Sequence, residues 1–553
     1  MIRKGWLFVL LFYLVAGCSP GDKVAIEKVT FGRGAIAIRL NGKARVQNIS
    51  VGEGSKEVAS KEIGAEAKEF LVDLNWHRGR EYRIKVTLGR QPLPLVATCR
   101  APERPSPLVL ASLDLEDVDP HQLRDYCYIG GIVAISPEAK YLAVGSEKGY
   151  LRLVSIKNGR LLWSKRIGEG RIVAMAFSPD GRYLALGEQS RDAFIYLYDI
   201  AGRLLWKFPA SRDVGTIRPG DSKYHLPVVN SLVFAPSGNA RKIYFTARHY
   251  LGTDGRNYRH RGKVYCLDME GHPLWTYPGK GYMDASPEVL RMDARGKYLI
   301  FSNYWKGESY NKSLYCLDGQ SGQLLWSWDF RHLFPEKRLG IWHGVDISAD
   351  GTYVAAFSND GRGFLLSNSQ LINTRGKKGL VWEKTISAPI TVNGLSIYGF
   401  PAQVKIGAGY VAFLTGNTNA RQGKRRPAIE HPNANSLFVY DLKGTLQWTS
   451  RVGGASYTDR IHTSADSRYT ILPIRYNRVE KDSLLHGVYL FDNSRPGGAA
   501  NKLVWFFHTD GMSLSADISR DGKYIALLEY PVDMDIRDEF QDIKGKHRVY
   551  ILR

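Results

Sequence analysis

The stretch Phe177-Ser-Pro-Asp-Gly-Arg-Tyr-Leu-Ala-Leu-Gly-Glu-Gln-Ser-Arg-Asp-Ala-Phe-Ile-Tyr-Leu-Tyr-Asp-Ile-Ala-Gly-Arg-Leu-Leu-Trp206 decides the fold. An apolar run stops at the turn Ser178-Pro-Asp-Gly181 and restarts as Tyr183-Leu-Ala-Leu186. A third run, Phe194 to Asp199, leads to the turn glycine Gly202, and Leu205-Trp206 belongs to a fourth. Short runs rich in aromatic and aliphatic residues and bounded by turn residues read as strands.

Degenerate copies recur to the end of the chain. Leu-x-Trp or its equivalent marks Trp163, Trp206, Trp275, Trp326, Trp382, Trp448 and Trp505. Spacings of roughly 40–70 residues fit propeller blades with variable loops. The turn before the second strand returns at Ala235-Pro-Ser-Gly238, Ala294-Arg-Gly296, Ala349-Asp-Gly351 and Arg520-Asp-Gly522. Third strands end in Asp199, Asp268, Asp318, Asp441 and Asp492, where a carboxylate can accept from turn amides, so these aspartates read as structural. The last repeat ends without an outer strand, and residues 108–113 have the character to donate it. The expected fold is all-β: an eight-bladed β-propeller closed by strand 108–113. Degeneracy across residues 347–448 leaves seven blades as the alternative count.

The composition suits that fold. The chain of 553 residues carries 56 glycines and 12% aromatics, favouring many short strands and turns. The formal charge of +22 favours anionic partners such as acidic polysaccharide, lipid headgroups or nucleic acid.

Ahead of the repeats, Arg3 and Lys4 precede an apolar run from Trp6 to Val15, of signal-peptide length. Residues 18–101 read as a small β-sandwich, with alternating strands such as Ala35-Ile-Ala-Ile-Arg-Leu40, Val46 to Val51 and Glu81-Tyr-Arg-Ile-Lys-Val86. Pro102-Glu-Arg-Pro-Ser-Pro107 reads as a stiff, extended linker to the propeller at 108–553. No CxxC or CxxCH occurs, which removes support for zinc-ribbon and c-type haem readings. Cys266 and Cys316 occupy one repeat position and read as small buried hydrophobes. Cys99 and Cys127 flank the junction and are candidates for a disulfide in an oxidising compartment.

Several stretches resemble known families. Leu14-Val-Ala-Gly-Cys18 resembles the lipobox of bacterial lipoproteins, which implies cleavage after residue 17 and lipidation of Cys18; Ser19 then favours the outer membrane. Ser-Pro-Asp-Gly-x-Tyr-Leu-Ala resembles WD40-type repeats. Val264-Tyr-Cys-Leu-Asp-Met-Glu-Gly-His-Pro-Leu-Trp275 and Leu314-Tyr-Cys-Leu-Asp-Gly-Gln-Ser-Gly-Gln-Leu-Leu-Trp326 resemble PQQ-like repeats. Trp76 with Gly79-Arg-Glu-Tyr82 resembles a fibronectin type III or immunoglobulin-like sandwich. The layout as a whole is similar to the propeller scaffold lipoproteins of the outer-membrane β-barrel assembly machinery, from which the extra N-terminal domain departs.

In a propeller, the second-to-third strand loops and the outer-to-inner crossovers emerge on one face. The long insertions fall there: loops 248–262, 303–312, 416–436, 475–487 and 529–546, with crossovers 207–226 and 387–407. Loops on a rigid scaffold are favoured binding sites. Basic and aromatic residues interleave in them, giving binding candidates Arg248, His249, Tyr250, Arg256, Tyr258, Arg259, Arg261, Trp342, Arg421, Lys424, Arg425 and Arg426. Asp533, Asp535, Asp538, Glu539 and Asp542 lack the glycine and terminal glutamate of a calcium loop, so no metal is expected. Aligning inner strands places Asn230, Glu288, His343 and Asp459 at one level of the central funnel, with Arg460 adjacent and His225 and His462 nearby; these are the catalytic candidates.

Two functions follow. The first is a non-catalytic, lipid-anchored envelope protein, most simply of the outer membrane facing the periplasm or else on the cell surface. It would bind a protein complex or an anionic glycan or lipid. The second is a funnel enzyme, either a quinoprotein-like oxidoreductase or a polysaccharide-active enzyme. A PQQ cofactor is not expected, since an adjacent Cys-Cys pair is missing, and nucleic acid is not expected as partner given the signal segment.

Overall fold

The computed structural model describes residues 24–89, 93–115, 131–216, 226–236, 242–251, 259–303, 312–329, 340–341, 343–420, 429–453, 461–474, 486–533 and 543–553. The chain divides into two compact units, Met1–Leu108 and Val109–Arg553.

In the first unit, strands Ile26–Gly32, Ala35–Glu53, Lys56–Asp73, Glu81–Leu88 and Leu95–Arg100 form one antiparallel sheet. Ala35–Glu53 is its spine. Its first half pairs with Ile26–Gly32, its second half with Glu81–Leu88, and Lys56–Asp73 follows it along both. Alternation buries Ile36, Ile38 and Leu40, then Val46, Ile49 and Val51, against Phe31, Tyr82, Ile84 and Val86. Trp76 packs edge-on to Phe31 at 5.4 Å and donates from Nε1 to the Gly32 carbonyl at 2.6 Å. All five strands are hydrogen-bonded into one sheet, Ala35–Glu53 being shared along its length between Ile26–Gly32 and Glu81–Leu88. The stretches 35–40 and 46–51, read as separate strands, are one continuous strand with a register break between Arg39 and Ala44.

The proline-rich segment is also no free spacer. Ser106 N donates to the Phe31 carbonyl at 2.8 Å, and the buried Leu108 occupies the space a Cβ on Gly32 would need. Cys99 is a free thiol, pushed up to about 12 by burial; its candidate partner Cys127 lies outside the described residues.

The second unit is an all-β propeller. Its strands group into eight four-stranded antiparallel meanders among the described residues. The first seven span residues 132–166, 171–209, 228–277, 287–328, 345–385, 395–451 and 462–509. Blade 8 takes its inner strands from Met512–Ile518, Ile525–Tyr530 and Arg548–Leu552. Its outer strand is Val109–Asp114, in register from Leu552↔Val109 to Arg548↔Asp114. Arg548 clasps Asp114 across this closure, donating from Nε to one carboxylate oxygen and from Nη2 to the other, the latter at 3.0 Å. Arg548 in turn holds the Asp114 carboxyl below its ordinary value.

Two local devices recur among the blades. The first is the turn between the first and second strands. In blade 2 the Ser178 hydroxyl donates to Asp180 at 2.6 Å and accepts from Tyr183 N at 3.0 Å, while Gly181 takes a positive φ. Ser348, Ser464 and Ser519 repeat this with Asp350, Asp466 and Asp521, and Asp293 substitutes its carboxylate in blade 4.

The second device is the tryptophan. In every blade the outer strand enters with a register shift one residue before the landmark position, so that two residues face one. The bulge leaves Leu162, Leu205, Leu274 and Val381 exposed. The indole that follows reaches the next blade. Trp163 Nε1 donates to Ile200 O at 3.1 Å, Trp206 to Met269 O at 2.6 Å and Trp382 to Leu442 O at 3.1 Å. In blade 4 Trp326 instead donates to the Asn368 side chain at 2.8 Å, at the head of a short inserted helix, Asn368–Asn373.

The rings lie on the turn after the third strand, where the glycine is obligatory. A Cβ on Gly202, Gly271 or Gly322 would stand 3.0, 2.8 or 2.5 Å from the indole of the preceding blade, and each has a positive φ. The aspartates ending the third strands accept turn amides, as Asp268 does from Glu270 N at 3.0 Å and His272 N at 2.7 Å.

Gly322→Ala and Gly409→Ala separate packing from backbone strain. Both residues have positive φ, but a Cβ at 409 meets nothing within 4 Å. Each substitution carries a left-handed strain of about 1–2 kcal/mol, and only Gly322→Ala adds an overpacking cost of about 1–3 kcal/mol. Urea denaturation should show Gly322→Ala to be clearly the less stable. Equal midpoints would refute the role assigned to the Trp275 contact.

Candidate functional site

The elaborated face is built from strands more than from loops. Blade 2 pairs its second and third strands from Tyr183↔Asp199 to Gly187↔Ile195 and stops. Blade 3 pairs Lys242–Leu251 with Arg259–Asp268 in ten registered pairs, up to Leu251↔Arg259, so a hairpin arm rises from it. Blade 6 extends likewise: Leu395–Gly407 stays paired with Tyr410–Ala420 as far as Ile397↔Ala420, with Ile390–Val392 added on the flank. In blade 8, Val532–Asp533 pairs with Ile543–Lys544. Most of the segment read as crossover 387–407 is thus the inner strand of blade 6, whose pattern is broken by bulges around Gly399 and Pro401.

The arm of blade 3 also buries two residues expected to face a ligand, His249 and Tyr250, and leaves a third, Arg248, partly buried. His249 is fully buried, its Nδ1 3.1 Å from Val214 O. Tyr250 is buried and donates its hydroxyl to Glu288 Oε1 at 3.0 Å. Arg248 lies over the Tyr250 ring at 4.3 Å and pairs with Glu288 Oε2 at 3.1 Å. The strand pairing that extends the arm turns these side chains into packing, which corrects their reading as loop contacts.

Glu288 is the hub of that packing. Besides Tyr250 and Arg248 it accepts from Ser286 Oγ at 2.7 Å and Asn230 Nδ2 at 3.2 Å, and its side chain is 1% exposed. Asn230 and Glu288 do meet at one level, but the carboxylate is enclosed by donors from two strands and by Ser286 in the segment before its own strand. A general acid or base needs an accessible proton path, and none leads to Glu288 among these contacts. His260 stands edge-on to Tyr250 at 4.7 Å, and burial, with the Arg248 charge, lowers it to about 3. It is neutral at physiological pH.

His343 is partly buried, and its carbonyl accepts from Val345 N at 3.1 Å. His462 Nδ1 lies 3.2 Å from Asp517 Oδ1. His225, Asp459, Arg460, Arg256, Tyr258, Trp342, Arg421, Lys424, Arg425, Arg426 and Cys18 fall outside the described residues, as do the acidic positions 535–542. The loop 421–428 has its stems described: Ala420 ends one strand, and Glu430 on the other side pairs with Arg451 and accepts from Asn435.

Inner strands are tied side by side around the axis. Ser231 Oγ accepts from Leu290 N, Asp346 accepts from Ile406 N and pairs with Lys405 and Arg291, and Asp517 accepts from Ile135 N. Among the described residues no cluster of three His, Cys, Asp or Glu side chains could hold a metal.

Two buried carboxyls escaped the sequence reading, because Glu188 and Glu529 sit in ordinary second strands. Glu188 accepts from Ser190 Oγ at 2.5 Å; Glu529 accepts from Gly511 N at 2.6 Å and Tyr550 OH at 2.7 Å. Burial raises both above the usual carboxylate value. Also missed were Lys280 and Tyr282, both exposed, in the short segment before blade 4. Only the glycines at 279 and 281 gave any signal.

A WD domain, G-beta repeat family model matches residues 164–199, which run from the outer strand of blade 1 through the third strand of blade 2. Among solved structures, the chain is similar to the crystal structure of the C-terminal WD40 domain of Sif2. The identity is 12% and the TM-score 0.47, over 81% of this chain and 97% of that one. No curated protein matches the chain.

The buried glutamates give a pH signature. Because their folded values are raised, their contribution to stability is full below the unfolded value and is lost as pH rises through the folded value. Glu188→Gln with Glu529→Gln should therefore raise Tm at pH 7, with the gain shrinking towards pH 4. A double variant less stable than the parent at pH 7, measured by calorimetry, would contradict this.

Proposed function

We propose that this chain is a non-catalytic interaction scaffold of the cell envelope, anchored through a lipidated Cys18 and binding a partner through the arm-bearing face of its propeller. The observation that carries the reading is the confinement of the hairpin arms of blades 3, 6 and 8 to one face of a closed ring. Such arms add contact surface without disturbing the blades, because the strands that hold them also pack the core. The WD-type repeat supports a protein partner, since propellers of that class commonly act as interaction scaffolds. Fold alone does not assign function, so the weight falls on the arms.

Charge supports the same face. The segment after Ala420, outside the described residues, carries Arg421, Lys424, Arg425 and Arg426 in sequence, and the chain is +22 overall. Arginine forks suit carboxylates and phosphates and accelerate encounter with an anionic partner. The resemblance to envelope assembly scaffolds falls within this reading, with the partner then a protein of the same membrane.

Replacing Arg421, Lys424, Arg425 and Arg426 with serine should abolish recovery of the specific partner from solubilised native envelopes. Replacing Arg160, Arg203 and Lys443, which lie in turns of the opposite face, should leave it intact. Equal recovery by the two variants would sink the assignment of the face.

The anchor is tested separately. Cys18→Ala should release the chain from the membrane fraction and eliminate incorporation of labelled palmitate. Label retained by the Cys18→Ala chain would exclude lipidation at that residue.

A further inference from the structure

The place where the chain enters the first unit fixes which end of that unit lies nearest Cys18. Ala25 is bonded twice to Asn41: its carbonyl accepts from Asn41 N at 3.1 Å, and its own N donates to Asn41 Oδ1 at 2.8 Å. Further along the same spine strand, Ala35–Glu53, the Arg45 carbonyl accepts from Gly89 N at 3.0 Å. Gly89 follows the strand Glu81–Leu88, and the returning strand Leu95–Arg100 begins with Leu95 opposite Val86. The entry point and this end of the strand pair therefore meet the spine ~13 Å apart, the rise from Asn41 to Arg45. Cys18 precedes Ala25 by seven residues, a reach of at most ~25 Å.

That end is apolar and basic at once. Leu93 is 76% exposed, more than any other large hydrophobic side chain among the described residues, and Val96 is 46% exposed. Pro94 between them is exposed too. Leu95 points the other way and packs on the core of the unit, so strand alternation sets Val96 on the outside. Lys85 stands opposite Val96 in register and is exposed. Lys43 and Arg45 are exposed as well, and the Arg45 side chain passes beside Gly89. Glu66 sits opposite Arg45 in register without forming an ion pair with it. Among the described residues no ion pair engages Lys43, Arg45 or Lys85.

We infer that this end of the first unit docks on an anionic lipid bilayer, with Leu93 and Val96 entering the boundary between headgroups and acyl chains and Lys43, Arg45 and Lys85 lying against lipid phosphates. The tether decides for a bilayer. A lipidated Cys18 keeps this end close to the membrane, and a tethered contact needs little affinity of its own to be occupied. The chemistry is that of an interfacial contact, in which buried apolar area adds to the attraction between cations and anionic headgroups. The inference rests on the proposed anchor at Cys18 and adds a second contact, one that orients the first unit on the membrane.

The test uses the full chain with and without its lipid, and vesicles of phosphatidylethanolamine and phosphatidylglycerol. In the lipidated chain a dansyl amino acid is placed at position 93 or at position 55. Ser55 lies beyond the last pair, Glu53↔Lys56, at the far end of the spine strand. Emission from position 93 should shift to the blue and be quenched by nitroxide-bearing lipid, while position 55 should report water. The unlipidated Cys18→Ala chain should co-sediment with these vesicles at low salt, too weakly to survive washing of a membrane fraction. Leu93→Asp with Val96→Asp should weaken that binding about tenfold or more. Lys43→Glu with Lys85→Glu should weaken it and flatten its salt dependence. Circular dichroism should be unchanged, because all four side chains are exposed.

Equal emission at the two positions, no binding of the Cys18→Ala chain to the vesicles, or an unaffected Leu93→Asp, Val96→Asp variant would each overturn the inference. Loss of envelope-partner recovery by that variant, with no vesicle binding by its parent, would assign the surface to a protein and overturn it as well. Failure of the anchor is read separately. A chain that carries no lipid at Cys18 yet binds vesicles through Leu93 and Val96 would remove the anchor and leave this surface standing.

Discussion

The propeller depends on how closely one blade's indole approaches the next blade's turn. In blades 1, 2 and 3 a tryptophan near the start of the outer strand reaches across a blade boundary and lies on a backbone that carries no side chain. Gly202, Gly271 and Gly322 meet that requirement under Trp163, Trp206 and Trp275, and their positive φ is the same requirement expressed in the chain direction. The bulge one residue earlier aims the ring. Glycine, bulge and indole are therefore one constraint rather than three motifs. Where an inserted helix replaces the usual turn, Asn368 takes over as acceptor for Trp326, so the contact survives a change of local chain path.

Closure depends on a different interaction. The first strand of the unit completes the last blade, and the Arg548–Asp114 pair joins positions 434 residues apart in sequence. A ring so closed leaves eight outer strands as its edges, and each opens with a bulge that disrupts regular pairing with another chain. In blade 3 the outer strand stops at Val264↔Tyr277, and beyond it Gly262 bridges to Met283.

Much of this was legible in residues. Turn glycines, the Ser-x-Asp pattern, the repeated tryptophans and the incomplete final repeat all carry chemistry that only a closed meander satisfies. Less legible was anything set by where pairing stops. Arg248, His249 and Tyr250 look like an exposed basic-aromatic loop, yet four additional registered pairs turn Arg248 and Tyr250 onto Glu288 and His249 onto the Val214 carbonyl. Gly399 and Pro401 disguise a long inner strand as a crossover because bulges break its alternation. In the first unit, a register break inside Ala35–Glu53 makes one strand read as two. Of the funnel candidates, alignment did place Asn230 beside Glu288, since strand periodicity fixes level, but it could not say that the carboxylate was already fully engaged.

Charge is partitioned between the two faces by the same turns that build the blades. On the trim face the repeated aspartates sit beside basic residues: Arg182 with Asp180 at 2.7 Å, Arg203 with Asp199 at 3.0 Å, Arg295 with Asp293 at 3.5 Å and Arg468 with Asp492 at 3.1 Å. Exposed pairs of this kind add little stability, a median of about 0–1 kcal/mol. Their effect is local neutrality, because a carboxylate needed for the turn also offsets the cation next to it. Among the described residues the arm of blade 3 holds no such turn and no such aspartate, and no ion pair engages Arg259 or Arg261 there. Local neutrality of the trim face is therefore a by-product of blade construction, which an arm built without those turns does not share.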